Sequence, residues 1–392
     1  MKKKVGILHD NISGNIGDLA IGISVRKIVG DLGVQFEELV PGRFNPRDYQ
    51  AIIIGGGYLL RPSPDFFYDK FKVSGPHILN SCGILSNPAD LGYLNDYLYI
   101  SVRSQGDKRK ISYLTNEVKV VPCTAMLLND LTNVGLKICR PSIGINLGPG
   151  LIDDLGSLIR YLSKLRFHIY LLPITHYNYD FKHLAKLRQQ VKNSTLLPVL
   201  KPEEIFTVIG KFDYFISASL HGAIFSYVHG VPFILAELQD KMSFFMEERG
   251  IEEYLFKNYN GLKTAFEKLL NNKLDYSVSL NKDFKILEEH KHTIRDILCV
   301  KELMVVDNKL TGSQADLKSL QSDLQESNIQ IRYLRRQVEN LEAQILGSEK
   351  EKLLMCYYKF RNKIFPPNTK RRACAKRLMK MAIRIIRRLQ GN

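Results

Sequence analysis

No run of about 18 or more apolar residues occurs in this chain of 392 residues, so no segment is suited to cross a bilayer as a single helix. A signal-peptide core is missing too: Met1-Lys2-Lys3-Lys4 leads into only Val5-Gly6-Ile7-Leu8 before polar His9-Asp10-Asn11. A cytoplasmic location is the expectation. The six cysteines, at 82, 123, 139, 299, 356 and 374, have neither the close pairing of a zinc site nor the density of a disulfide scaffold, and read as reduced thiols. Histidines and carboxylates form no HExxH or other ligand-spaced cluster, and Asp153-Asp154 reads as a helix opening, where negative charge is favoured. Neither a P-loop nor the spacing of a dinucleotide fingerprint is present, and no Ser-His-Asp order can be argued. Hydride transfer has no support.

Acid is lacking at one end. From Lys352 onward the chain carries thirteen Lys or Arg and no Asp or Glu, which leaves only +3 of the +16 net charge for everything before. The body is nearly neutral, and the basicity belongs to a tail.

What is present argues for a globular body: 45% hydrophobic residues, with 19 Phe and 19 Tyr, in a chain long enough for two domains and extensions. Short apolar runs at Val5–Leu8, Ala51–Ile54, His77–Asn80, Tyr99–Arg103 and Val118–Val121 predict strands, with helices near Leu19–Leu32 and Ala89–Asp96. A second series follows at Ser142–Leu147, His168–Leu172, Leu196–Val199, Tyr214–Ser217 and Phe233–Ala236. Helices near Asp154–Leu165, Phe181–Lys192 and Pro202–Gly210 fall between them. Strands bounded by Gly and Pro and alternating with helices imply parallel βαβ units. The fold class is therefore α/β, with two Rossmann-like domains, residues 1–140 and 141–300, facing a cleft. A closing helix is expected near Lys282–Leu298.

Beyond it the period changes. Leu303, Leu310, Leu317, Leu324, Ile331, Val338 and Ile345 recur every seven residues, with Val306, Leu320, Leu334 and Leu341 between them. This heptad pattern predicts a coiled coil over 301–350 and self-association through 303–346; a lone amphipathic helix lying on the body is the competing possibility. Phe365-Pro366-Pro367 ends that run, and a basic tail spans 351–392. At about 100° per residue, Ala375, Leu378, Ala382, Ile385, Ile386 and Leu389 share one face of a helix over 370–389, opposite Lys376, Arg377, Lys380, Arg384, Arg387 and Arg388. Such a helix suits an anionic membrane surface, where each cation contributes about 1 kcal/mol. Nucleic acid is the weaker alternative, because interleaved aromatics for base stacking are absent, and a simply solvated tail is a third.

Residues 213–250 carry the densest functional signal. They read as a strand (Tyr214–Ser217), a helix starting near Ser219 and stopping at Gly230, and a second apolar strand after Pro232. His221 then stands at a strand-to-helix turn, where free N–H groups favour an anion and where open α/β sheets bind ligands. An ordinary helix-start histidine is the plain alternative.

Ser219-Leu220-His221-Gly222, followed by HGVPFI and Asp240-Lys241, resembles the C-terminal signature of the polysaccharide pyruvyltransferase family. Asn15-Ile16-Gly17-Asp18 after the first strand, Gly55-Gly56-Gly57-Tyr58 after another, Ser101-Val102-Arg103, and Leu172-Pro173 ahead of His176 and Asp180 agree in order. The resemblance spans roughly residues 5 to 250 and implies a glycosyltransferase-B-like arrangement of the two domains. Many members carry an arginine where Ser219 stands, and an aspartate is common at Pro122-Cys123-Thr124.

The resemblance further implies phosphoenolpyruvate as donor, with no separate cofactor, and as acceptor a glycan or lipid-linked sugar of the cell surface. His221 is then the candidate acid, because an imidazole titrates near neutral pH, or else a phosphate ligand. Arg103 offers the planar fork suited to carboxylate or phosphate; pairing with a neighbouring acid is its alternative. Lys241 would neutralise the leaving phosphate, and Ser219 and Leu220 complete the motif. Gly55, Gly56 and Gly57 would admit ligand to the backbone or form an anion nest, or simply make a tight turn. Asn15 and Asp18 are assigned to acceptor binding or loop shaping, and His176 to the acceptor side. Two other readings of the same architecture stay open: a nucleotide-sugar glycosyltransferase, and a scaffold that kept the fold without the chemistry.

Overall fold

The computed structural model describes residues 4–303, apart from 86–90, 132–133, 176–179 and 273. All of these belong to one compact unit, Met1–Gln330. Twelve strands form two separate six-stranded sheets, and every strand pair within them is parallel. The coiled coil and the basic helix expected beyond Leu303, and His176, lie outside the described residues.

The first lobe runs β1 (Lys4–Leu8), α1 (Ile16–Gly30), β2 (Phe36–Glu38), β3 (Tyr49–Gly55), β4 (Ile78–Cys82), β5 (Tyr99–Val102), α2 (Gln105–Lys110) and β6 (Val118–Val120). Its sheet order is β2-β1-β3-β4-β5-β6. The second lobe runs β7 (Ser142–Asn146), α3 (Leu155–Lys164), β8 (His168–Leu171), α4 (Asp180–Gln190), β9 (Ser194–Leu196), α5 (Pro202–Ile209), β10 (Tyr214–Ser217), α6 (Leu220–Val228), β11 (Phe233–Ala236), α7 (Asp240–Glu247) and β12 (Leu255–Phe256). Its order, β12-β11-β10-β7-β8-β9, is the doubly wound arrangement, with the reversal between β7 and β10. In the first sheet the reversal falls between β1 and β3. Two further helices, α8 (Tyr259–Asn271) and α9 (Ser277–Leu303), close the unit.

Strands such as AIIIG in β3 and FILA in β11 are buried on both faces, as parallel strands covered by helices must be. Helices differ in how deeply they sit. α3 buries only Leu158 and Leu162, whereas α1 buries residues on all sides, from Ile16 to Val29. The reason is position: α1 is wedged between its own sheet, α5 of the second lobe and the 3-10 turn Thr124–Leu127 that leads between the lobes. α9 returns from the second lobe to the first. Its His290 donates from Nε2 to Asn80 Oδ1 (2.7 Å) and accepts at Nδ1 from the Tyr99 hydroxyl (3.0 Å), while Asn80 Nδ2 donates to Thr124 Oγ1 (3.1 Å). Burial pushes His290 down to about 3, so this link is made by a neutral imidazole.

Several expectations need correction. The helix expected near Ala89–Asp96 is, over its described part, a 3-10 turn at Gly92–Asp96. The strand expected at Leu196–Val199 lies at Ser194–Leu196. α9 is longer than the expected closing helix, and β2, β12, α2 and α8 had no distinct apolar signature. The side chain of Ser219 caps nothing; its N–H instead bonds Ser217 Oγ (3.1 Å). Asp154 does cap α3, accepting from Ser157 N (2.8 Å).

Asp180 shows what holds the second sheet's loops in place. Its buried Oδ2 accepts from the N–H groups of Ile174 and Thr175 (2.6 Å each) and from Asn146 Nδ2 (3.0 Å), tying α4 to the carboxyl ends of β7 and β8. Asp180→Ala leaves the buried N–H of Ile174 and the half-buried N–H of Thr175 unsatisfied, while Asn146 Nδ2 keeps the Leu172 carbonyl (3.0 Å), and should lower the unfolding free energy by about 2–4 kcal/mol, read from urea denaturation. A loss within about 0.5 kcal/mol contradicts that role.

Candidate functional site

The carboxyl ends of the two sheets meet, and each brings charge. In the first lobe, β1 leads to Asn15, which caps α1 by accepting from Gly17 N (3.1 Å) and holds Asp18 by donating from Nδ2 to its Oδ2 (2.7 Å). Asn15 is therefore a loop-shaping residue. β5 delivers Arg103 just before the Ser104–Asp107 cap of α2. In the second lobe, β10 hands over to His221 in the first turn of α6, and β11 hands over to Lys241 at the start of α7.

His221 crosses to the other lobe. A Cβ built on Gly17 would lie 1.7 Å from its Nδ1, so only glycine lets the imidazole rest on the first turn of α1. Its Nε2 faces Cys123 Sγ at 3.6 Å. The charge of Arg103 acts on that same thiol, opposing the rise that burial causes, so groups from opposite lobes meet at Cys123. Arg103 also lies with Cζ 5.5 Å from the centre of the Tyr58 ring, and Lys241 Nζ reaches across from the second lobe to 4.7 Å from it. A narrow pocket lined by Arg103, Ser104, Asp107, Cys123, Lys241 and Glu248 opens here, with His221 standing behind Cys123.

Burial sets the electrostatics. It raises the Asp18 carboxyl to about 7, with Asp10 adding to the effect and Lys241, Arg103 and His9 opposing it. Burial and the charge of Arg103 bring Lys241 down to about 8 despite Asp18. His221 falls well below its ordinary value through burial, then Arg103, then Lys241. The imidazole is therefore held toward its neutral form, away from the near-neutral titration expected of a histidine. Three polar atoms are left over: Arg103 Nη2, Asp18 Oδ1 and the Tyr58 hydroxyl are buried without a hydrogen-bond partner among the described residues.

The remaining candidates serve the framework. Leu220 is buried in the apolar core of the second lobe. Gly55, Gly56 and Gly57 make room for neighbours: added Cβ atoms would meet Asn80 Nδ2 at 2.7 Å, the Ile21 side chain at 2.7 Å and Asp18 Oδ1 at 2.2 Å. The triple glycine thus seats Asp18 and α1 against β3. Tyr58 and Cys123 were not singled out as site members. Tyr58 stood only as the residue after three glycines, and Cys123 only as a departure from a family pattern. Among the described residues no group of three or more His, Cys, Asp or Glu is placed to hold a metal ion, and the four described cysteines are unpaired.

Solved structures similar to this chain include UDP-GlcNAc 2-epimerase of Methanocaldococcus jannaschii (TM-score 0.44, 10% identity, 73% of this chain and 99% of that one). O-GlcNAc transferase of Thermobaculum terrenum (0.36, 10%, 84% and 67%) and the E. coli heptosyltransferase (0.31, 12%, 64% and 98%) are others. Likenesses this weak carry no functional weight. No curated protein matches the chain significantly. A family model does, over residues 15–237, more than half of the chain and all of the residues that build the site as far as β11. With that span matched and His221, Arg103 and Asp18 gathered at one place, the chain belongs to the polysaccharide pyruvyl transferase family.

Proposed function

We propose that the site transfers a pyruvyl group from phosphoenolpyruvate to two hydroxyls of a cell-surface glycan or lipid-linked sugar, leaving a cyclic ketal. The observation that supports this most is the buried Arg103 guanidinium, whose Nη2 has no partner among the described residues while Lys241 approaches the same tyrosine ring from the other lobe. Burying two cations this close together is costly even with Asp18 and Asp107 nearby, and a small anion bearing carboxylate and phosphate relieves that cost.

The donor also changes the acid. Its negative charge offsets the fields of Arg103 and Lys241, which with burial, the largest cause, depress the imidazole, so donor binding favours protonation of His221. That proton goes to the enol carbon. One sugar hydroxyl then adds to the cationic C2 and gives its proton to Asp18, a carboxyl poised near neutrality. The second hydroxyl displaces phosphate as the ring closes, with Lys241 neutralising the leaving group. Asp18 passes the first hydroxyl's proton back to His221 through solvent and the second hydroxyl's proton departs with phosphate, so both groups return to their starting states and the reaction balances.

Outside the described residues, the heptads over 303–346 and the amphipathic pattern over 370–389 support self-association and adsorption to an anionic bilayer. Among the described residues no helix is long and apolar enough to cross a membrane. Catalysis at the inner face of the cell membrane, on a lipid-linked acceptor, fits these patterns.

Phosphate release from phosphoenolpyruvate in the presence of candidate glycans tests the chemistry. It should occur, and His221→Ala should slow it by about 10²-fold or more. The acceptor-saturated kcat/KM for donor should rise with pH through about 7 as Asp18 ionises and fall through about 8 as Lys241 loses its charge. Lys241→Arg, permanently charged, should move the falling limb upward. Release of UDP or GDP from a sugar nucleotide, with no phosphate from phosphoenolpyruvate, would mean a glycosyltransferase instead. For the tail, the full chain should sediment with anionic vesicles while a chain ending at residue 368 stays in the supernatant; equal sedimentation refutes adsorption through 370–389.

A further inference from the structure

We propose that Arg61 is a third cationic contact for the donor, completing a ring of three positive groups around Tyr58. The inference rests on the pyruvyl-transfer reading and extends it to a residue that no sequence pattern singled out. Arg61 lies three positions beyond Tyr58, and its Nε donates to the Tyr58 carbonyl oxygen at 2.9 Å. Its guanidinium is laid over Tyr68, with Cζ 3.4 Å from the ring centre. These two anchors fix the planar group through one nitrogen and one face. No carboxylate is ion-paired with it among the described residues, so the outer edge of the fork is free to bind.

Tyr58 is what places that edge. The same tyrosine that accepts Arg61 on its backbone carries Lys241 Nζ at 4.7 Å and Arg103 Cζ at 5.5 Å over its ring. Gly83 allows this crowding, because a Cβ there would come within 2.2 Å of Arg103 Nη2 and 2.4 Å of the Tyr58 ring. The charge of Arg61 reaches Lys241 and helps to hold it down. Burial pushes the Tyr68 hydroxyl up against the pull of Arg61, with Asp10 and Asp18 adding to the rise. Arg61 thus acts on Lys241, and the tyrosine that its guanidinium covers feels Asp10 and Asp18.

The loop that carries Arg61's support is built to hold still. Asp65 Oδ1 accepts from the N–H groups of Phe67 and Tyr68 (3.0 Å each), and Asp69 accepts from Asp65 N (2.8 Å) and Ser63 Oγ (2.7 Å). A guanidinium fixed in advance loses little freedom when it takes a carboxylate or phosphate in two parallel hydrogen bonds. The ligand class is a compact anion with two acidic groups, which needs more positive charge than Arg103 and Lys241 supply once Asp18 and Asp107 are set against them.

Two measurements on the full chain test this. In phosphate-release kinetics, Arg61→Gln should raise the KM for phosphoenolpyruvate by about tenfold or more while kcat stays within about threefold, and Arg61→Lys should recover part of the loss. In calorimetric titration without acceptor, Arg61→Gln should weaken phosphoenolpyruvate binding by a similar factor, with an unchanged melting temperature. Unchanged donor KM and affinity overturn the proposal, and so does a loss confined to the acceptor KM. If wild-type protein binds phosphoenolpyruvate yet releases no phosphate, the transfer reading fails while the affinity comparison still decides the role of Arg61.

Discussion

The imidazole of His221 lies on the backbone of Gly17, so close that a single added carbon would come within 1.7 Å of it. This contact sets how nearly the two lobes approach, and the site depends on that approach. The histidine belongs to the second lobe and the glycine to the first turn of α1. Moving them apart would carry Lys241 away from Tyr58 and His221 away from Cys123. The burial of α1 on all sides follows from the same requirement, since the helix that receives the histidine is also packed against α5 and the Thr124–Leu127 turn. Its polar side chains Asp18 and Ser24 are buried with the apolar ones.

Closing the lobes removes water from charged groups that would otherwise be solvated, and the three shifted groups record that cost. Asp18 rises, and Lys241 and His221 fall, each with burial as the leading cause. The signs are coherent: every shift moves its group toward the neutral form. A multiply charged anion entering the pocket would restore charge to the cations and the imidazole. Such a site is primed for its ligand rather than stable without it.

Much of the fold was legible because buried parallel strands are short apolar runs between Gly and Pro, as at Ala51–Ile54 and Phe233–Ala236. α1 was placed three residues late, beginning at Leu19 rather than Ile16, because Gly17 is a poor helix former by propensity. It is there for the contact with His221 across the cleft. β2 and β12 escaped notice because edge strands of three and two residues carry no period. His221, Arg103 and Lys241 were found through motifs, and the structure gathers them around Tyr58 and Cys123. Tyr58, Cys123 and Arg61 were not legible as partners, since their meaning lies in contacts between segments far apart in the chain, such as Cys123 with His221. The neutral resting state of His221 was invisible for the same reason.

A crystal structure of the chain with phosphoenolpyruvate bound tests the central claim most directly. The account predicts donor oxygens within about 3 Å of the Arg103 guanidinium and Lys241 Nζ, with the methylene carbon turned toward His221. Donor bound elsewhere on the chain, or density at this site that touches only one lobe, would contradict it.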